Sequence, residues 1–264
     1  MDELLPTILT SFATTMAVKG AEAPANTFNE AWKYVFGSVD SFLIRKNEKR
    51  RIDNEKYIQS LTEKVEKIPI EQIQEPKMSI LGPALEASKF YIEEEEIREM
   101  FASLLASSFD SSKNPQLHHS FVEIIKQISP LDARNLVKIL QNGRFPVAQY
   151  RLRTNKEGHS RPLKQLVFMP ALNSDDLYKE QDVFDYDRNA TSINNLARLG
   201  LIDVNLDIWL TDDSEYDLLC NNPFLNALKQ FHESEDDYPK VEIKKGIIDF
   251  TSFGKDFYDI CLSR

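Results

Sequence analysis

Four histidines are the first residues to test for chemistry: His118, His119, His159 and His232. A helical zinc pair needs two imidazoles four residues apart with an intervening glutamate, and none of the four has that spacing. Adjacent His118 and His119 point apart on a helix or a strand, so capping or surface roles are expected. Two cysteines follow, Cys220 and Cys261. They are too few for a disulfide framework, their spacing fits no zinc site, and neither has a histidine nearby in sequence. They read as buried free thiols of a reducing compartment. No Gly-x-Ser-x-Gly elbow is present. A triad drawn from distant parts of the chain is left open by one sequence.

The acids offer two further candidates. Glu93, Glu94, Glu95 and Glu96 stand at the start of a strong helical pattern, where negative charge complements the helix dipole. A divalent-cation site is the alternative. Glu242-Ile-Lys244 lies on a predicted strand and has the Glu-x-Lys form of metal-dependent nucleases. Asp203 or Asp207, on another strand, would supply the second acid. A three-residue motif arises often by chance, and glycine-poor, acidic surroundings do not favour it. No catalytic, cofactor-binding or metal-ligating residue is therefore assigned, and a nuclease ranks behind the readings below.

One constellation has the chemistry of a binding surface. Phe28, Trp32, Phe36 and Phe42 recur at helical spacing, and Arg45, Lys46, Lys49, Arg50 and Arg51 follow them. Such aromatics can sit at a headgroup boundary while the cations meet anionic lipid. The preferred reading is a core-packed helix whose basic end pairs with Glu48, Glu55 or an acidic patch of a partner. Trp32, Phe36, Phe42, Arg45, Lys46, Lys49, Arg50 and Arg51 are the partner- or membrane-binding candidates on either reading.

The elements that must position these residues are mainly helical. The 264 residues are 42% hydrophobic and 28% charged, with only 8 glycines, which favours helix and argues against a phosphate-cradling loop. Net charge is −10; residues 160–264 carry 11 Lys and Arg against 20 Asp and Glu, a net of −9. That half should repel nucleic acid, whose binding rests on phosphate neutralisation. Helices are expected over Leu4 to Val18, from Phe28 onward with a break or a projection near Asn47, and behind Pro83 at a first-turn position. Others are expected over Ile97 to Phe109, from Ser120 as a cap with Glu123, and over Leu131 to Leu140. Residues 68–76 read as an extended connector. Beyond Asn142-Gly143, strands at Val147 to Arg153 and Leu163 to Met169 form a hairpin. A helix over Asp187 to Leu199 stops at Gly200. Leu201 to Leu210 is a strand, Leu218 to Phe231 a helix restarting at Asn222-Pro223, Val241 to Phe250 a strand and Ser252 to Leu262 a closing helix.

Leu-Ala-Arg-Leu-Gly-Leu-Ile at 196–202, two strands, then Thr-Ser-Phe-Gly-Lys-Asp-Phe at 251–257 resemble a winged-helix module with a large insertion at 211–239. Its candidate recognition helix offers Arg188, Asn189, Asn194, Asn195 and Arg198, but Asp182, Asp185 and Asp187 precede it, so protein contacts are favoured over DNA. The strongest resemblance lies in residues 75–132: Glu75-Pro76-Lys-Met-Ser-Ile-Leu-Gly-Pro-Ala-Leu-Glu86, Glu96-Ile-Arg98-Glu-Met-Phe101 to Asp110, and His119-Ser-Phe121 through Ser129-Pro130-Leu-Asp132. This stretch resembles the Abi-alpha (abortive infection alpha) family of bacterial phage-defence-associated proteins, over roughly residues 70–260.

The expected architecture is mainly α with a smaller α+β part, an N-terminal helical block followed by a winged-helix-like C-terminal module. Three segments are expected: 1–74, a helical arm with the basic cluster; 75–142, a helical core; and 143–264, the winged-helix-like module. The resemblance implies a sensor or adaptor of phage defence that works by protein interaction or self-association, without a cofactor. Its alternative is a growth-arrest effector acting at the membrane through the N-terminal amphipathic helix. Met1-Asp2-Glu3 lacks the basic start of a signal peptide, and Leu4 to Val18 is too short to span a bilayer. A cytoplasmic location is expected, or a peripheral one at the inner face of the membrane.

Overall fold

Apolar residues three and four apart in the first third of the chain fold into helices that share one core. The computed structural model describes residues 4–36, 48–153, 160–170, 185–232 and 240–263. The chain divides into two compact units, Met1–Pro130 with Asp256–Arg264, and Leu131–Lys255. The protein is mainly helical with a small four-stranded antiparallel sheet.

The first unit contains α1 (Leu4–Val18), α2 (Glu22–Phe36), α3 (Glu48–Glu66), α4 (Met78–Ser88), α5 (Glu95–Ser108) and α6 (Ser120–Ile125). Helix α3 packs on α1 and α5, and α4 packs on α2, α5 and α6. Helices of the expected arm and of the expected core thus belong to one unit, because their apolar stripes cover each other. Phe12 of α1, Phe28 of α2 and Phe109 at the end of α5 meet with ring centroids 4.5–6.1 Å apart. The Lys19 ammonium donates to the Ile68 carbonyl at 2.6 Å and joins the end of α1 to the chain beyond α3.

Three local expectations differ from what forms. Pro83 lies inside α4 and not in its first turn, and it is exposed. Its missing N–H costs one bond, to the carbonyl four residues earlier, and its ring meets solvent. Ser120 does not cap α6 with its own side chain; the His118 Nδ1 accepts the Ser120 N–H at 3.1 Å. The connector after α3 contains a 3-10 turn at Ile70–Gln72 and a bridge from Ile73 to Asp110. Gln74 and Asn114 exchange side-chain hydrogen bonds of 3.0 and 2.8 Å beside that bridge. The break or projection expected near Asn47 lies outside the described residues.

The second unit is built on α7 (Pro130–Asn142), β1 (Phe145–Arg153), β2 (Ser160–Val167), α8 (Tyr186–Arg198) and β3 (Ile202–Asn205). It continues with α9 (Asp217–Cys220), α10 (Pro223–His232), β4 (Lys240–Phe250) and the start of α11 (Ser252–Cys261). The sheet order is β2-β1-β4-β3. The β3–β4 pair expected of a wing forms, from Ile202 opposite Phe250 to Asn205 opposite Ile247. Strand β4, at eleven residues, also pairs along its other edge with β1, from Phe145 opposite Ile248 to Arg153 opposite Lys240. Helix α8 ends as expected at Gly200, whose φ of 74° only glycine adopts cheaply. The Leu201 N–H reaches back to the Leu196 carbonyl at 3.1 Å.

The insertion between β3 and β4 is folded onto the sheet. Tyr216 and Leu219 from it join Ala148, Tyr150 and Val167 in one buried cluster. The Tyr216 hydroxyl donates to the Gly246 carbonyl and accepts the Leu210 N–H, both at 2.9 Å. The Tyr150 hydroxyl donates to the Leu219 carbonyl at 2.7 Å and accepts from Asn222 Nδ2 at 3.0 Å. Burial pushes that phenol up to about 12, against the opposing pull of the Asn222 bond. Asn222 also caps α10, accepting the Leu225 N–H at 2.9 Å, with Pro223 in the first turn. Thr251 does the same for α11, taking the Gly254 N–H at 2.8 Å. A Cβ on Gly254 would lie 1.8 Å from the Leu201 carbonyl oxygen, so this helix needs a glycine to approach β3.

Candidate partner-binding groove

Of the side chains singled out for lipid or partner contact, the described ones are Trp32, Phe36 and Lys49, and they do not share one surface. Trp32 is 2% exposed and Phe36 3%, stacked on each other at 4.1 Å between centroids. Trp32 also lies 5.8 Å from Phe28 and 5.9 Å from Tyr57. Both aromatics are core residues, so the stripe that would reach a headgroup boundary is spent on the helical unit. Lys49 is exposed in the first turn of α3. Arg50 and Arg51 lie in the same helix, while Phe42, Arg45 and Lys46 fall outside the described residues. Among the described residues no helix is long and apolar enough to cross a membrane.

The other candidates also acquire places. Glu94 flanks α5, and Glu95 and Glu96 occupy its first turn. Glu242 faces Arg153 at 3.5 Å, and Lys244 holds Asp207 at 2.8 Å. Asp203 pairs with Asp249, seven residues along β4 from Glu242, which is about 23 Å at strand rise. Asp203 therefore cannot complete a site with Glu242. Among the described residues no group of three or more His, Cys, Asp and Glu could hold a metal ion. On α8, Asn189 is buried, and Asn195 donates to Asp132 at 3.1 Å. These two proposed base-readers face inward, leaving Arg188, Asn194 and Arg198 exposed.

Both cysteines are free, Cys220 half-buried and Cys261 buried. Burial raises both thiols above their ordinary value, Cys261 strongly. A raised value keeps the protonated, unreactive form through neutral pH. At pH 7.5 iodoacetamide should label Cys220 several-fold more slowly than an unfolded thiol and leave Cys261 untouched until denaturant is added, as read by mass spectrometry. Labelling of Cys261 at the unfolded rate would contradict this placement.

The opening that the sequence did not point to is a groove of about 820 Å³ on the first unit. Helix α2 supplies Tyr34 and Val35, α4 supplies Met78 and Ala87, the following turn supplies Phe90 and Tyr91, and α6 supplies Val122. Tyr34 is 85% exposed, Phe90 73% and Met78 57%. Large apolar side chains left open beside one another are one of the features that mark interaction sites. The Lys89 ammonium sits 5.0 Å from the Phe90 ring centroid and salt-bridges Glu86. The Tyr91 hydroxyl donates to the Lys126 carbonyl at 3.3 Å, fastening the turn to the end of α6. One signal was available in the sequence. Tyr34 lies about 200° around α2 from Trp32, so it is an aromatic residue on the face away from the core.

A mainly helical protein with a small antiparallel sheet and an open apolar groove is the class these features define. The chain belongs to the abortive infection alpha family, whose profile matches residues 49–261. Two walls of the groove, α4 and α6, fall inside that match, and α2 precedes it. The family points to a role in abortive infection, as the residues at 75–132 implied. No curated protein matches the sequence. An uncharacterized protein from the hydrocarbon-degrading marine bacterium Alcanivorax borkumensis SK2 is similar at 11% identity and a TM-score of 0.32, over 58% of this chain and 96% of that one.

Proposed function

We propose that this protein is an interaction component, a sensor or adaptor, of an abortive-infection response against phage. Family membership supports the defence role. The observation that carries the interaction role is the groove, where Tyr34, Met78 and Phe90 stand open to solvent beside buried Val35 and Val122. Leaving such side chains exposed has a solubility cost and contributes nothing to the core, so a partner that covers them supplies the reason for them.

The test is a phage challenge of cells carrying the gene at its native locus, wild type beside Tyr34→Asp/Phe90→Asp. Protection should fall at least about tenfold, the size of effect expected from a lost hot-spot pair. Both side chains are exposed, so thermal stability should stay within about 0.5 kcal/mol of wild type per site. Full protection by the double variant at wild-type abundance would remove the groove from the function.

A further inference from the structure

We infer that the groove receives an amphipathic α-helix of a partner protein whose apolar face is flanked by lysine and arginine; this rests on the reading of the groove as a docking surface. A volume near 820 Å³ suits a small ligand as well as a helix, so size does not choose between them. The rim does. A small-molecule site buries most of its ligand, whereas Tyr34 and Phe90 at this rim are 85% and 73% exposed and can be covered only from outside. A helix laid along the groove covers them with apolar residues at i, i+3 or i+4, and i+7. Met78, unbranched and adaptable, suits a surface that adjusts to such knobs.

Charge narrows the partner. The ionisable residues lining the groove are Glu30, Glu86 and Glu123 against Lys126, a net of −2. Lys126 donates to both oxygens of Glu123, at 3.0 and 2.9 Å. Glu86 is bridged by Lys89. Those two lysines serve Glu123 and Glu86, which leaves Glu30 as the carboxylate in excess, a net of −1 once Lys89 is counted with the lining residues. A flank of lysines on the incoming helix complements it, and a flank of glutamates meets like charge.

The full chain is tested with two fluorescein-labelled helical peptides that share leucines at i, i+3, i+4 and i+7. One has lysines on both flanks of that stripe and the other glutamates. Lauric acid serves as the acyl-chain probe. At low salt the lysine peptide should bind at least about tenfold tighter by anisotropy, the gap closing near 1 M salt, where the Debye length is about 3 Å. Glu30→Lys/Glu86→Lys/Glu123→Lys should invert the preference, and Phe90→Asp should weaken both peptides. Equal binding of the two peptides overturns the inference, as does failure of the lysine peptide to bind, with or without capture of lauric acid. If Tyr34→Asp/Phe90→Asp nevertheless abolishes phage protection, the groove remains the docking surface and only the basic helix falls. Full protection by that variant removes the docking reading itself.

Discussion

Trp32→Ala should destabilise the helical unit by about 3–5 kcal/mol, the range for truncating a large buried aromatic. The indole is 2% exposed and touches rings from two helices: Phe28 and Phe36 on α2, Tyr57 on α3. Phe28 in turn contacts Phe12 of α1 and Phe109. Removing the indole leaves a cavity between α2 and α3, and the chain of rings carries the loosening through Phe28 to α1. Hydrogen exchange read by mass spectrometry should show faster exchange in α1, α2 and α3, with the sheet of the second unit unchanged. The substitution also separates two readings of one residue. An indole at a lipid surface would change liposome binding and leave the exchange rates alone. Wild-type exchange in α1 to α3 would return Trp32 to the surface.

Arg98→Met should cost a similar amount, about 3–5 kcal/mol, for a different reason. Arg98 is 4% exposed and donates through Nη1 to Asp53 Oδ1 at 3.2 Å and to the Ile92 carbonyl at 3.0 Å. Met fills much of the volume but leaves the Asp53 carboxylate buried without its cation. The pair itself is imperfectly satisfied: Asp53 Oδ2 and Arg98 Nε are buried with no hydrogen-bond partner, as are both side-chain polar atoms of neighbouring Asn54. Such a pair contributes little net stability, because desolvation offsets its attraction. Asp53→Leu combined with Arg98→Met should therefore recover most of the loss. Chemical denaturation of the two single variants and the double variant closes the cycle. A double variant no more stable than Arg98→Met alone would show that the pair contributes more than its desolvation costs, whereas one as unstable as the sum of the singles would show no coupling between the two side chains.

These two sites mark where sequence reading succeeded and where it stopped. The stripe Phe28, Trp32, Val35 and Phe36 was legible because apolar residues at helical spacing have one sufficient explanation, a buried face. Helix α1 appeared over the expected residues, and Gly200 ended α8, since both depend on local chemistry alone. Asp53 lies on the α3 face that also carries Tyr57, Leu61 and Val65, yet no pattern nominates a buried acid whose partner is 45 residues away. The pairing of β1 with β4 spans about 90 residues and was equally invisible, which is why a two-stranded wing was expected. The groove escaped because its walls come from three helices. Each wall residue looks like an ordinary surface or core position until the helices are assembled.

The path of the chain through the first unit has a consequence for its synthesis. Phe257, Ile260 and Cys261 are buried in that unit; Phe257 meets Phe121 edge-on at 5.3 Å, and Ser107 donates to the Ile260 carbonyl at 3.1 Å. Between Pro130 and Asp256 lies the whole of the second unit. At translation rates of roughly 5–20 residues per second, those 125 residues take about 6–25 s to emerge. Throughout that interval the first unit waits with the α5 and α6 surfaces around Ser107 and Phe121 unclosed. A nascent chain caught by a stalled ribosome before codon 256 is therefore a different object from the finished protein. It displays apolar surface that the finished protein conceals, and proteases and chaperones read such surface.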